Sequence, residues 1–242
     1  MEELITQSKR GISGSTLKLI AILTMLIDHI GLAVVGRLTI MRPELYDVYR
    51  IMRGIGRIAF PIFVFLLVEG MRHTKDIKKY ALRLGVFALI SEIPFDLAFH
   101  AHVLEFTYQN VFFTLFIGLL VIWAMDSTVR AVKNKIFGAL LMAAAVAAGA
   151  VAAELLKTDY GATGILCIVV IYLFSYDRRL QLVAGCVVFL WEWQALFAFL
   201  PIAFYNGRRG WKLKYVFYIF YPLHLFLIYL VCVAMGMKFP IV

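Results

Sequence analysis

The run "LKLIAILTMLIDHIGLAVVGRL", residues 17–38, decides the fold class. At ~1.5 Å of rise per residue it is long enough, as a helix, to cross a hydrocarbon core ~30 Å thick. Yet Asp28 and His29 stand side by side near its centre. An aspartate there costs roughly 2.5–3.5 kcal/mol even on lenient insertion scales. A helix that carries both must turn them toward protein, and such residues are candidates for function.

The rest of the chain repeats the pattern. Of 242 residues, 63% are hydrophobic, and the mean hydropathy is +0.87. That excludes a soluble globular domain and points to an all-α, polytopic membrane protein. Apolar segments fall near 17–38, 55–71, 80–99, 110–126, 135–156, 161–176, 180–206 and 214–236. The segment 180–206 carries "WEWQ" (191–194) in its middle. Split there, the chain forms a bundle of about nine transmembrane helices; unsplit, eight. Little is left for an extramembrane domain, so residues 1–242 are expected to form a single domain.

Charge sidedness favours nine. With nine spans, 17 of the 24 basic residues share the side of the N-terminus. With eight, the group from Arg208 to Lys214 moves to the other side. The positive-inside rule then places the N-terminus in the cytoplasm of a cell (plasma) membrane protein. The net charge of +9 is explained by these loops, and nucleic-acid binding is not expected. The first apolar run is full length, so its removal as a signal peptide is not expected either. Cys167, Cys186 and Cys232 lie in apolar runs without metal-ligand spacing and read as small hydrophobes. "GALLMAAAVAAGAVAAELL" (138–156) reads as close helix packing through small residues, within the protomer or against a second copy. No internal repeat of the kind found in many transporters is evident.

Ionisable residues recur at similar depth in several helices. Glu92 and Asp96 are spaced i,i+4 and share a helix face, with Pro94 between them. Arg53 and Arg57 have the same spacing. His224 lies in "YPLHL" (221–225). Asp28, His29, Arg57, Glu92, Asp96 and His224 are thus the candidate catalytic residues, able to pair across a bundle interior. Arg57 with Glu92 or Asp96 is one structural pairing. Asp28 is read as fixing the His29 tautomer or as serving another partner such as Arg57. Histidine is the side chain suited to take and return a proton near neutral pH. Asn110 and Tyr160, at helix starts on the outer side, are candidates for substrate binding. The loop residues Arg72, Lys75, Lys78, Lys79 and Arg83 read as a topology signal with anionic lipid contact. Alternatively they form a phosphate-binding rim with Arg208, Arg209, Lys212 and Lys214. No metal site is expected, since His100 and His102 lack partners at zinc spacing.

Seven strings in order resemble the TraX family of integral membrane proteins: "LTMLIDHIG", "IGRIAFPIFVFLLVEG", "RLGVFALISEIPFDLAF", "QNVFFTLFIGLL", "YGATGIL", "LFAFLPIAFYNGRRG" and "FYIFYPLHL". The resemblance runs from about residue 16 to residue 230. It implies an acetyltransferase similar to the wider transmembrane acyltransferase group, with cytoplasmic acetyl-CoA as acyl donor. The acceptor would be extracytoplasmic: a peptide N-terminus, as in pilin, or a glycan. By resemblance the membrane-embedded histidine central to that group is His29, and the basic loops would bind the CoA phosphates. His29 would act as general base or carry the acyl group, with Asp28 or Glu92 orienting it. Arg57, Asn110 or Tyr160 would stabilise the oxyanion. The rival class is a proton-coupled transporter, because intramembrane Asp, Glu and His also mark proton relays.

Overall fold

The computed structural model describes residues 11–100, 102–211 and 214–237. Lys9, Arg10, Lys212 and Lys238, counted above in the charge balance, lie outside the described residues, as does the side chain of Lys214. The chain is 79% helical, with no strand element among the described residues.

α1 (Gly14–Ile30) continues through a π-turn (Gly31–Val35) into a last α-turn (Gly36–Leu38). α2 (Tyr46–Gly56) and α3 (Ala59–His73) follow, then α4 (Ile77–Phe99). α5 (Val111–Ala131), α6 (Lys135–Leu155), α7 (Gly161–Leu173) and α8 (Arg178–Val188) come next. A 3-10 stretch (Leu190–Ala198), α9 (Phe199–Ala203) and α10 (Lys214–Ala234) complete the order. Five helical stretches are long and apolar enough to cross a membrane: Gly14–Leu38, Pro43–His73, Val111–Ala131, Lys135–Leu155 and Tyr215–Ala234. α4 matches them in length but carries Arg83, Glu92 and Asp96. α7, at 13 residues, is shorter than a ~30 Å core requires. Helix length therefore supports a multi-pass membrane protein without fixing nine spans. The 180–206 segment is interrupted: Glu192 has φ −131° and ψ 74°, which no helix accommodates.

The described residues group into two compact units. The first comprises Met1–Leu66, Leu97–Ala101 and Phe189–Val242; the second comprises Leu67–Asp96 and His102–Val188. Residues of α3 and α4 thus belong to both units.

In the first unit, Ser13 caps α1 by accepting the Thr16 N–H at 3.2 Å. The next orphan donors of that helix start, the N–H groups of Gly14 and Ser15, donate to the carbonyls of Arg208 and Arg209 at 2.8 and 3.0 Å. Gly210 turns this clasp at φ +72°, where a Cβ would collide with Ser13 and Ser15. α1 and α10 then run in the same direction: Ile12 pairs with Tyr205 in parallel, His29 meets His224, and Arg37 meets Cys232. α1 and α2 approach closely because Gly31 and Gly56 lack a Cβ. One added at Gly31 would lie 2.8 Å from the Met52 Cβ, and one at Gly56 would fall on the Asp28 side chain.

In the second unit, α5, α6 and α7 pack through small residues. A Cβ at Gly149 of α6 would strike Val121 of α5, and one at Gly118 of α5 would strike Ile168 of α7. The Ala/Gly helix therefore packs within the protomer along its Gly149 face. Asn110 and Asn134 cap α5 and α6 by accepting the N–H groups of Phe112 and Phe137, each at 3.0 Å.

Substituting Gly31 by Ala should therefore cost ~1–3 kcal/mol through overpacking. Gly54→Ala, whose new Cβ would sit 3.6 Å from the Gln194 Cγ, should be neutral or stabilising. Thermal unfolding of both variants in detergent checks the contrast.

Candidate functional site

The two intramembrane histidines meet. α1 brings His29 and α10 brings His224 into a hydrogen bond of 2.7 Å between His29 Nδ1 and His224 Nε2. The ring planes are 4° apart. His224 Nδ1 lies 2.8 Å from the Phe220 carbonyl, one helical turn back. A carbonyl only accepts, so His224 Nδ1 carries the proton and donates. Neutral His224 then has an acceptor at Nε2, and His29 Nδ1 must donate to it. That leaves a lone pair on His29 Nε2, for which the described residues provide no hydrogen-bond partner. The chain of bonds thus selects the tautomer. Phe99, at the end of α4, and Tyr221 hold His29 edge-on, with centroids 5.4 and 6.0 Å away. Tyr221 is buried and also packs against His224 at 5.6 Å. His224 is 4% exposed, whereas His29 is only half-buried.

Two ion pairs lie in the same unit. Asp28 Oδ2 accepts from Arg53 Nη1 at 2.7 Å, and Glu192 Oε1 accepts from Arg57 Nε at 2.8 Å. The i,i+4 spacing of Arg53 and Arg57 sends one guanidinium to α1 and the next to the kink in the 3-10 stretch. Asp28 therefore serves Arg53, where the sequence suggested the His29 ring or Arg57. The side chain hydrogen-bonded to His29 is His224, in place of the expected Asp28 or Glu92. The tryptophan-flanked Glu192 sits at the kink because an apolar segment accommodates a carboxylate best beside a cation.

Arg37 is the residue that sequence reasoning missed. It stands near the end of the first apolar run, outside the candidate set, and is 6% exposed. Its Nη1 donates to the Ala33 carbonyl at 2.7 Å and to Cys232 Sγ at 3.1 Å, and its Nη2 to the Ala98 carbonyl at 3.0 Å. One guanidinium thus ties α1, the end of α4 and α10, the three elements that supply His29, Phe99 and His224. Cys232, read as a small hydrophobe, is an acceptor for this fork. The usable signal was an arginine inside an apolar run.

Glu92 and Asp96 belong to the second unit and have partners of their own there. Glu92 Oε2 accepts from the Asn110 backbone at 3.3 Å and from its side-chain amide. The other amide proton of Asn110 goes to the Ala88 carbonyl at 2.9 Å. With its oxygen capping α5, Asn110 has every polar side-chain atom engaged within the protein. Asp96 Oδ2 accepts the Glu105 N–H at 2.7 Å. The Tyr160 N–H faces Thr114 Oγ1 at 3.4 Å.

The basic candidates also divide. Arg208 and Arg209 are exposed in the first unit, where their carbonyls hold the start of α1. Arg72, Lys75, Lys78, Lys79 and Arg83 lie in the second. Arg72 donates to the Ser175 carbonyl, Lys79 pairs with Asp76 at 3.4 Å, and Arg83 lies over the Tyr80 ring at 5.8 Å. Asp76 accepts the Lys79 N–H at the start of α4, which holds its carboxyl below the usual aspartate value. Among the described residues no three His, Cys, Asp or Glu side chains group as metal ligands.

A sequence model of one family, described as TraX protein, matches residues 13–232. The chain is also similar to a probable fimbrial assembly protein FimC, serogroup H1, of Dichelobacter nodosus. The two are 29% identical over 246 aligned residues, covering 89% of this chain and 94% of the relative. No solved structure gives a significant match.

Replacing Arg37 by Lys keeps the charge but loses the fork. A hydrogen bond to a charged group contributes ~1.5–3 kcal/mol, so the melting temperature in detergent should fall by roughly 3–12 °C. At position 110, stability should decrease in the order Asn, Ser, Ala. Serine keeps the cap oxygen but loses the two amide donors, and alanine forfeits a further ~0.5–2 kcal/mol of capping. Denaturant titration of the two variants checks the order.

Proposed function

The chain belongs to the TraX family, and on that premise we propose that it is a membrane-embedded acetyltransferase. It takes an acetyl group from acetyl-CoA and passes it to an amine or hydroxyl acceptor at the extracytoplasmic face of the cell membrane. A peptide N-terminus, such as that of a fimbrial subunit, fits the relative named as an assembly protein; a glycan is the other acceptor class. The observation that carries the reading is the His29–His224 hydrogen bond with its carbonyl anchor.

Acyl transfer to an amine forms a C–N bond, breaks the thioester C–S bond and releases a thiol. The amine proton must leave and the thiolate must gain one. His29 Nε2, with its lone pair left unused by the His224 bond, takes the proton from the acceptor and returns it to the departing sulfur. The imidazolium formed in between keeps donating through Nδ1 to His224, which stays neutral because its own Nδ1 proton is held by Phe220. A general base placed this way contributes ~10²–10⁴-fold. The acyl donor is a substrate and brings the activated carbonyl. Its phosphates suit Arg208 and Arg209, two of the exposed cations of the unit that holds the dyad. Asp28–Arg53 and Glu192–Arg57 keep the polar wall of that unit neutral in sum.

The test uses radiolabelled acetyl-CoA with purified protein in detergent, reading CoA release and transfer to a peptide with a free N-terminus. His29→Ala should bind the donor but lose ~10²–10⁴-fold in turnover. His224→Ala should lose less, and His224→Gln, whose amide oxygen accepts from His29, should recover part of the loss. Equal turnover in wild type and in a folded His29→Ala would overturn the assignment. Substrate flux in proteoliposomes without any acetyl-CoA dependence would favour a proton-coupled transporter instead.

A further inference from the structure

Three loops of the second unit converge at one end. The end of α3 meets the loop after α7 and the start of α8, because the Arg72 guanidinium donates to the Ser175 carbonyl and Arg178 Nη2 reaches Glu69 Oε1 at 3.5 Å. Arg178 also donates to Gln181 Oε1 at 2.9 Å, and Gln181 in turn to the Ile171 carbonyl at 2.9 Å. The last turns of α5 join them through the end of α7, where the Tyr172 hydroxyl lies 3.5 Å from Asp126 Oδ1. Asp126 also accepts from Arg130 at 2.5 Å. Each acidic side chain at this end is already committed: Glu69 and Asp126 as described, Asp76 to Lys79, and Asp177 to the N–H groups of Arg179 and Leu180. Lys75, Lys78, Lys133, Lys135 and Arg179 remain, all exposed and none with an acidic partner among the described residues.

Depth says what faces them. Lys135 opens a helix of membrane length, and Arg130 lies in the last turn of another. Exposed Val129, Ile136 and Phe137 stand directly beside these cations, and exposed Tyr176 beside Arg178. Apolar side chains exposed to hydrocarbon and cations at the same helix ends place the five charges at headgroup level. Long side chains there extend toward phosphate rather than into a closed cleft. The braced ends of α3, α5, α7 and α8 bring the loops that carry these cations to one end of the unit, so their attraction for a negative surface adds up.

We propose that this end of the second unit is a contact surface for anionic phospholipid headgroups, and that its ligand is the headgroup phosphate. This assignment is independent of the acetyltransferase reading. It separates these residues from a donor-binding role.

Native mass spectrometry of the full chain in detergent tests it, with phosphatidylglycerol and phosphatidylcholine offered at equal concentration. Wild type should retain phosphatidylglycerol preferentially. A variant with Lys75, Lys78, Lys133 and Arg179 each changed to Gln should lose at least tenfold in that retention, since each charge near an anionic surface contributes roughly fivefold. Changing the exposed Arg42 and Arg50 of the first unit to Gln should leave it unchanged; circular dichroism of both variants reports their folding. Equal retention by wild type and the four-site variant would overturn the proposal, as would an equal loss in the Arg42/Arg50 control. Displacement of the lipid by adenosine 3′,5′-bisphosphate would overturn it too, by making the surface a nucleotide site.

Discussion

A polar group inside a membrane protein must find its partner within the protein, because the surrounding lipid offers none. Four buried or half-buried charges among the described residues show that constraint. Asp28 takes Arg53, Glu192 takes Arg57, Glu92 takes the cap of α5, and Arg37 takes two carbonyls and a thiol. Helix packing has to deliver these pairs, and Gly31 and Gly56 are small because α1 and α2 must come within reach of each other. The histidine pair is the exception in kind. It is hydrogen-bonded without being neutralised, and one ring nitrogen is left over. Structural pairing explains the carboxylates and the arginines, but not an imidazole whose second nitrogen has no hydrogen bond among the described residues.

The fold class was legible because a ~20-residue apolar run has few alternatives. The two histidines and the arginine pair of α2 were legible as charges out of place. Their partners were not. Sequence spacing reports which residues share a face of one helix, whereas Asp28 choosing Arg53 over Arg57 depends on how two helices cross. Asp28 and His29 are neighbours in sequence, but helix geometry points them about 100° apart, so each serves a different element. Arg37 was hidden by its position near a helix end, where arginine ordinarily snorkels to the interface. The interruption at Glu192 was legible from its charge; that the chain takes a 3-10 path there was not.

Family membership and the geometry bear on different questions. The family model covers residues 13–232, and the relative from Dichelobacter nodosus carries a fimbrial assembly name. The geometry adds a histidine pair whose proton positions are fixed. Its polarity is set by a backbone carbonyl, not by a carboxylate as in soluble hydrolases. A carbonyl anchor adds no charge to the site, which suits a low-dielectric setting where an extra buried anion would have to be compensated.

The π-turn at Gly31–Val35 lies between His29 and Arg37. Each step in such a turn rotates the chain by less than the about 100° of an α-helix. The five residues therefore act as a phase correction, letting the base and the clamp, eight positions apart, both address α10. Losing one residue there, with a return to regular winding, would leave His29 and Arg37 seven α-steps apart, about 700°, and so still on one face. A single-codon deletion that closes this π-turn is thus better tolerated than one in a regular turn, where it would swing every later residue by about 100°.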